Sequence, residues 1–132
     1  CTPDADLKWL KDRSPVPLIA DESCCSLDDV PRCAETFHGV NVKLVKTGGI
    51  TGAECLLRAA RAAGLRTMLG CMIESSLLIT AAAHLADLTD YLDLDGNLLI
   101  TNDPYLGVAC DKGVLSFANA PEKLGLRVCL RQ

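Results

Sequence analysis

Short apolar blocks alternate with longer amphipathic stretches along this chain, and each block runs into a charged residue. Leu18-Ile-Ala20, bounded by Pro17 and Asp21, has the length and composition of a buried parallel strand. Val40 to Val45 is the next such run. Strand alternation puts Asn41, Lys43 and Val45 on one face and Val42 and Leu44 on the other. Thr67 to Ile73 is the third, closed by Glu74, and Tyr91 to Leu94 is the fourth. Helical stretches separate them. Ser26-Leu-Asp-Asp29 opens one, with Ser26 as N-cap and acids in the first turn, and it fades before Gly39. Gly48-Gly49 turn the chain into a second, where Ile50, Ala53, Leu56, Leu57 and Ala60 keep the 3.6-residue period. Arg58 and Arg61 fall on its wetter side, and Gly64 ends it. Ser75-Ser76 cap a third, alanine-rich, from Leu77 to about Ala86. Ahead of all of these, Asp6 to Lys11 predicts the end of a helix, halted by Ser14-Pro-Val-Pro17.

Strand and helix thus alternate with short loops, which predicts a parallel sheet with helical crossovers. The predicted fold class is α/β: half of a (β/α) TIM-like barrel, about four parallel strands with intervening helices, over residues 1–100. Residues 101–132 change character. Asn102-Asp-Pro104, Lys112-Gly113 and Pro121 predict an irregular post-barrel segment with one edge strand at Val114–Phe117. A whole barrel takes about 250 residues, and an open half exposes a strand edge that invites association.

Composition narrows the partners. Lys+Arg number 13 against 17 Asp+Glu in 132 residues, a formal net charge of -4 with no basic cluster, which argues against nucleic acid or an anionic membrane surface. No apolar run approaches the roughly 20 residues that span a bilayer. The polar start with Asp4, Asp6 and Lys8 lacks a signal-peptide pattern. Of the eight cysteines, Cys55, Cys71 and Cys129 sit in apolar runs as small buried hydrophobes, Cys24-Cys25 are adjacent, and no C-x-x-C pair suggests zinc. Scattered free thiols predict a reducing, cytoplasmic setting. The chain opens on Cys1 rather than Met, and pattern and length predict a piece of something longer.

Ionisable residues at successive strand ends, pointing inward, are how a (β/α) barrel builds an active site. A lysine, Lys43, facing a carboxylate that could hold a metal, Asp21, suggests proton abstraction beside a carbonyl or carboxylate. Each residue also has a plainer reading. Lys43 could be a solvated strand-end lysine and Asp21 an acid at the start of a helix. Glu22 could buttress a lysine or cap its loop. Asp93 and Asp95 share a strand face and repel unless a cation sits between them, or else Asp95-Gly96 is only a turn signal. Glu74 could contact substrate or cap a helix. Lys46 falls on the opposite face as a surface charge, His84 as a packed or surface residue, and His38 has no evident partner. Cys71 and Met72 fit core packing better than a pocket.

Ile19-Ala-Asp-Glu-Ser23, Asn41-Val-Lys-Leu-Val-Lys-Thr-Gly-Gly49 and Met72-Ile-Glu-Ser75 resemble the last strands of an enolase-superfamily barrel of the muconate-lactonizing subgroup. Asp93-Leu-Asp95 resembles the dipeptide epimerases, L-Ala-D/L-Glu epimerase among them, and the likeness runs from about Asp4 to Val128. The resemblance implies that residues 1–100 are the C-terminal half of the (β/α) TIM-like barrel. It implies Mg2+ as cofactor, with Asp21 as a metal ligand and Lys43 as one of two catalytic lysines. It implies Asp93 and Asp95 as holders of the substrate ammonium; beside them, Glu74 is a candidate substrate contact and Glu22 and Asn41 are candidate supporting residues. The implied reaction is 1,1-proton transfer at the α-carbon of a dipeptide, in a protein that could associate as a homo-oligomer. The family also has a Lys-x-Lys strand, two earlier metal carboxylates and an N-terminal capping domain, which this sequence lacks. The expectation is therefore an inactive isolated chain. The alternatives are an N-acylamino-acid racemase, an o-succinylbenzoate synthase, or a truncated, non-catalytic fragment.

Overall fold

The computed structural model of the chain describes residues 5–132. Cys1 to Asp4, where the predicted half-barrel and the likeness begin, lie outside the described residues. After α1 (Ala5–Lys11) come four parallel strands, β1 (Ile19–Ala20), β2 (Gly39–Lys43), β3 (Arg66–Gly70) and β4 (Tyr91–Asp93), paired in chain order. The crossovers are α2 (Val30–Thr36), entered through a 3-10 turn at Leu27–Asp29, then α3 (Ile50–Ala62) and α4 (Ser76–Ala83). Val40, Val42, Thr67 and Leu69 of the sheet are wholly buried in a core with Cys33, Ala53, Leu56, Leu57, Ala60 and Ile79 of the helices. Burying each Leu, Ile or Val contributes about 1.5–3 kcal/mol, and the two-residue β1 adds Ala20 to this core while pairing with Gly39 and Val40 of β2. Alternation sends Asn41, Lys43, Met68, Gly70, Tyr91 and Asp93 to the other face. There they form two rungs across three strands: Asn41, Met68 and Tyr91, then Lys43, Gly70 and Asp93.

The strands are trimmed, relative to the sequence pattern, at their C-terminal ends. β2 stops at Lys43 because Lys46 N bonds back to Lys43 O at 3.0 Å, so Val45 leaves the face and is exposed. β3 stops at Gly70 rather than Ile73, since β4 offers pairing only as far as Asp93. Ser75 has the extended backbone of an N-cap but makes no side-chain cap bond. Asp103 from the following segment caps α4 instead, accepting from Ser76 N at 2.9 Å and Ser76 Oγ at 2.5 Å. α4 ends at Ala83, short of Ala86.

Residues 101–132 are more ordered than their composition predicts. They carry β5 (Tyr105–Leu106), β6 (Ala109–Asp111), β7 (Val114–Ser116) and β8 (Cys129–Leu130), with β5 antiparallel to β8 and β6 to β7. Thr80 of α4 anchors this segment by accepting from Val108 N at 2.9 Å, and His84 packs against Phe117 at 4.7 Å. The cysteines of the described residues are free. Cys55, however, is exposed, because the helical period that buries Leu56 and Leu57 turns it outward. No described helix is long and apolar enough to cross a membrane.

Candidate active site

β1 delivers Asp21, one residue past its end, to the face of β2 that carries Asn41 and Lys43. Lys43, 8% exposed, donates from Nζ to Asp21 Oδ2 at 3.1 Å and lies 3.0 Å from Oδ1 in the same ion pair. Asn41, 6% exposed, adds Nδ2 to Oδ1 at 2.8 Å. A charge this buried persists only when paired, and Asp21 is the pair. The Asp21 side chain itself stays 54% exposed. Partial burial pushes its carboxyl up, but the Lys43 and Asn41 hydrogen bonds and the Lys43 charge together hold it below the ordinary carboxylate value.

Glu22 supports a different lysine from the one the chemistry needs. Its Oε1 accepts from Lys46 Nζ at 2.6 Å, which draws the Glu22 carboxyl down and the Lys46 ammonium up. Lys46 lies in the turn past β2, where strand alternation no longer applies, and reaches back to the end of β1. It is therefore not the lone opposite-face charge that alternation predicts.

Asp93 ends β4, level with Gly70 and through it with Lys43, and its carboxylate takes no hydrogen bond among the described residues. Asp95 does not share its strand face by alternation. The strand has ended, and Asp95 takes a helical backbone (φ -107, ψ -1) that begins a 3-10 turn at Gly96–Leu99. Asp95 Oδ1 lies 3.9 Å from Cys71 Sγ. A Cβ at Gly96 would fall 2.1 Å from Met72 O, so glycine lets this loop lie directly on the one after β3. Glu74 closes that lower loop, Oε1 accepting from Met72 N at 3.0 Å. The order this gives the loop sets Met72 Sδ 3.8 Å from Lys43 Nζ. Met72 is thus exposed at the site rather than packed in the core.

Sequence reasoning missed His38, whose Nδ1 accepts from Leu18 N at 3.0 Å and ties β1 to β2. Its place before a strand-opening Gly39 carries no distinctive signal. Beside the Asp21 loop, burial pushes the Cys24 thiol up to about 12, so it stays protonated and supplies no nucleophile. Among the described residues no three acids, histidines or cysteines are grouped to hold a metal ion. The exposed Asp21 carboxylate is a hard-oxygen donor of the type Mg2+ takes, and Mg2+ is commonly bound through one or two carboxylates with waters. The residues present fit that ion as one ligand of a larger set.

Residues 1–112 match the family described as enolase C-terminal domain-like. The chain belongs to that family. This enolase C-terminal domain-like chain is 69% identical over 123 residues to the L-Ala-D/L-amino acid epimerase of Pedosphaera parvula, aligning 93% of itself with 35% of that protein. Among solved structures it is similar to a substrate-liganded complex of the L-Ala-D/L-Glu epimerase from Bacillus subtilis. There the TM-score is 0.81 at 35% identity, over 92% of this chain and 35% of that one. It is likewise similar to the dipeptide epimerase from Cytophaga hutchinsonii complexed with Mg and the dipeptide D-Ala-L-Val. That match has a TM-score of 0.83 at 32% identity, over 96% of this chain and 35% of the other. Its four parallel strands with their helices match the C-terminal half of the TIM barrel in enolase-superfamily structures. The chain spans about a third of the length of the curated relatives it matches.

Proposed function

We propose that this chain is the C-terminal part of a dipeptide epimerase barrel, working by Mg2+-dependent 1,1-proton transfer at the α-carbon of a dipeptide. The observation that carries the reading is the buried Lys43 ammonium on both oxygens of Asp21, one strand spacing from Gly70 and two from Asp93. The names of the relatives support it. Lys43 is the acid and base on one face of the α-carbon, shielded from bulk water on one side by Met72. Asp93 and Asp95 meet the substrate α-ammonium with two carboxylates that pair with no other cation among the described residues. Asp21 would hold Mg2+, which when bound supplies positive charge beside the substrate carboxylate. Glu74 orders the rim between Lys43 and the two aspartates. The second acid and base comes from outside residues 5–132, so the 132-residue chain by itself exchanges no α-proton. The cytoplasm as its setting and association with further copies belong to the same proposal. An N-acylamino acid or an aromatic acid brings no ammonium to Asp93 and Asp95, which disfavours the racemase and synthase alternatives.

The test is a chimera in which this chain replaces the matching third of the Pedosphaera parvula enzyme. The expected result is epimerisation of Ala-X dipeptides, lost by about 10³-fold in Lys43→Met. No exchange of an α-proton into D2O is expected from the 132-residue chain alone. A chimera that folds like its parent and turns over none of these dipeptides overturns the proposal.

A further inference from the structure

Asn41 sits in surroundings that the proposed chemistry leaves unexplained. It is 6% exposed, on the sheet face that also carries the buried Lys43. Nδ2 donates to Asp21 Oδ1 at 2.8 Å. The amide cannot be turned end for end, because its own oxygen would then face a carboxylate oxygen with no proton to give. Asn41 Oδ1 is thereby left buried without a partner among the described residues. Such orphaned acceptors are few in native proteins, and each calls for a cause.

The room for this amide comes from the next strand. A Cβ at Gly70 would fall 2.5 Å from Asn41 Oδ1, 2.6 Å from Nδ2 and 2.9 Å from Cγ. A side chain at position 70 and the observed amide exclude each other. Three strands therefore cooperate: β3 leaves a space, β2 fills it with an amide, and the amide bonds the acid at the end of β1.

We propose that Asn41 is a positioning residue for Asp21, seated by the missing side chain of Gly70, and that its buried Oδ1 accepts a proton donor brought in with a divalent cation. The proposal rests on the function proposed above. Lys43 lies within 3.1 Å of both Asp21 oxygens and hydrogen-bonds Oδ2, whereas Asn41 bonds only Oδ1. That one-sided bond sets the rotation of the carboxylate and with it the oxygen offered to a cation. A divalent ion of this class keeps ligand waters, whose hydrogens need acceptors. Oδ1 is a free acceptor on the residue already bonded to Asp21. Partners of this kind orient a metal ligand, and their loss weakens metal affinity by about 10–100-fold.

The experiment is a Mn2+ titration of the 15N-labelled 132-residue chain, following paramagnetic broadening residue by residue, since carboxylate sites for Mg2+ also take Mn2+. Broadening is expected first at Asp21, the Asn41 side-chain amide and Gly70. Asn41→Ala and Gly70→Ala should each raise the Mn2+ midpoint at least tenfold while signals elsewhere keep their positions. The double variant should do no worse than Asn41→Ala, because the added methyl occupies the space the amide has left. A merely structural role would move the melting temperature and leave the midpoint alone. Should Gly70→Ala lose its folded spectrum, Asn41→Ala and Asn41→Ser decide by themselves. Unchanged midpoints in folded Asn41 variants, or losses that add in the double variant, overturn the positioning role alone. A parent chain with no broadening at Asp21 at any Mn2+ concentration overturns the metal role proposed here, while the functional reading is decided separately by the chimera.

Discussion

Lys43 and the pair Asp93 and Asp95 are opposite kinds of site residue. Lys43 is held by two oxygens and a thioether inside a packed face, whereas among the described residues Asp93 has no hydrogen-bond partner and Asp95 has only a thiol at 3.9 Å. Nothing in the fold depends on either aspartate, so their substitution should separate function from stability. In the chimera, Asp93→Ala or Asp95→Ala should leave the melting temperature unchanged. Each should lower kcat/KM for Ala-Glu by tenfold to a hundredfold, the worth of about 1.5–3 kcal/mol for a hydrogen bond to a charged group. Calorimetry and steady-state kinetics on the same preparations check this, and an unaltered rate would remove the ammonium-binding role. Lys43 and Asp21 were legible in the sequence because strand alternation and strand order alone bring them to one face. Gly70 and the amide of Asn41 were not, because a space between strands leaves no mark on the apolar pattern. Met72 was misplaced for a related reason: its strand ends at Gly70, and beyond that point hydrophobicity no longer reports burial.

At the level of elements, the alternation of strands and helices could be read directly from apolar period, whereas the strand ends could not. An end is set by where the neighbouring strand stops offering hydrogen bonds, which is a property of two distant segments. The cap of α4 shows the same division. Ser75-Ser76 announces a helix start and Asn102-Asp-Pro104 announces a turn, yet the cap joins them across 27 positions. Asp103 accepts from Ser76 N, Ser76 Oγ and Tyr105 N, and Ser76 Oγ in turn accepts from Asn97 Nδ2 at 3.0 Å. One carboxylate thereby fastens the post-barrel segment to the helix that follows β3. Asp103→Ala would leave the Ser76 and Tyr105 donors without it and should cost about 2 kcal/mol, read as a lower urea midpoint with unchanged slope. Asp103→Asn, which keeps an acceptor, should lose less. Equal midpoints for Asp103→Ala and the parent chain would show that water replaces the cap.

Across the whole molecule, four aspartates held below their ordinary range sit where elements join. Asp21, against some burial, is drawn down by Lys43 and Asn41 between β1 and β2. Asp29 is drawn down by the backbone N–H of Cys25 and by Ser26 at the turn into α2, and Asp90 by the N–H and hydroxyl of Thr67 between β3 and β4. Asp103, against some burial, is drawn down by Ser76 and Tyr105 between α4 and the segment after the barrel. For each, the folded chain binds its proton less readily than the unfolded chain, where the value is about 4. The stability they contribute is therefore complete above that unfolded value and is lost as pH falls through the lower folded ones. Lys46, raised by Glu22, works in the other direction and loses its contribution only as pH rises past the ordinary lysine range, about 10.4. Between pH 6 and 8 the unfolding free energy should thus be flat, with a steep decline below about pH 4 as the joins release together. Urea midpoints measured at pH 7, 5, 4 and 3 test this. A variant carrying Asp90→Asn and Asp103→Asn should start lower at pH 7 and fall less on acidification, because two of the linked protons are gone. A chain that grew more stable on acidification would show that repulsion within its net charge of -4, rather than these joins, governs its response to pH.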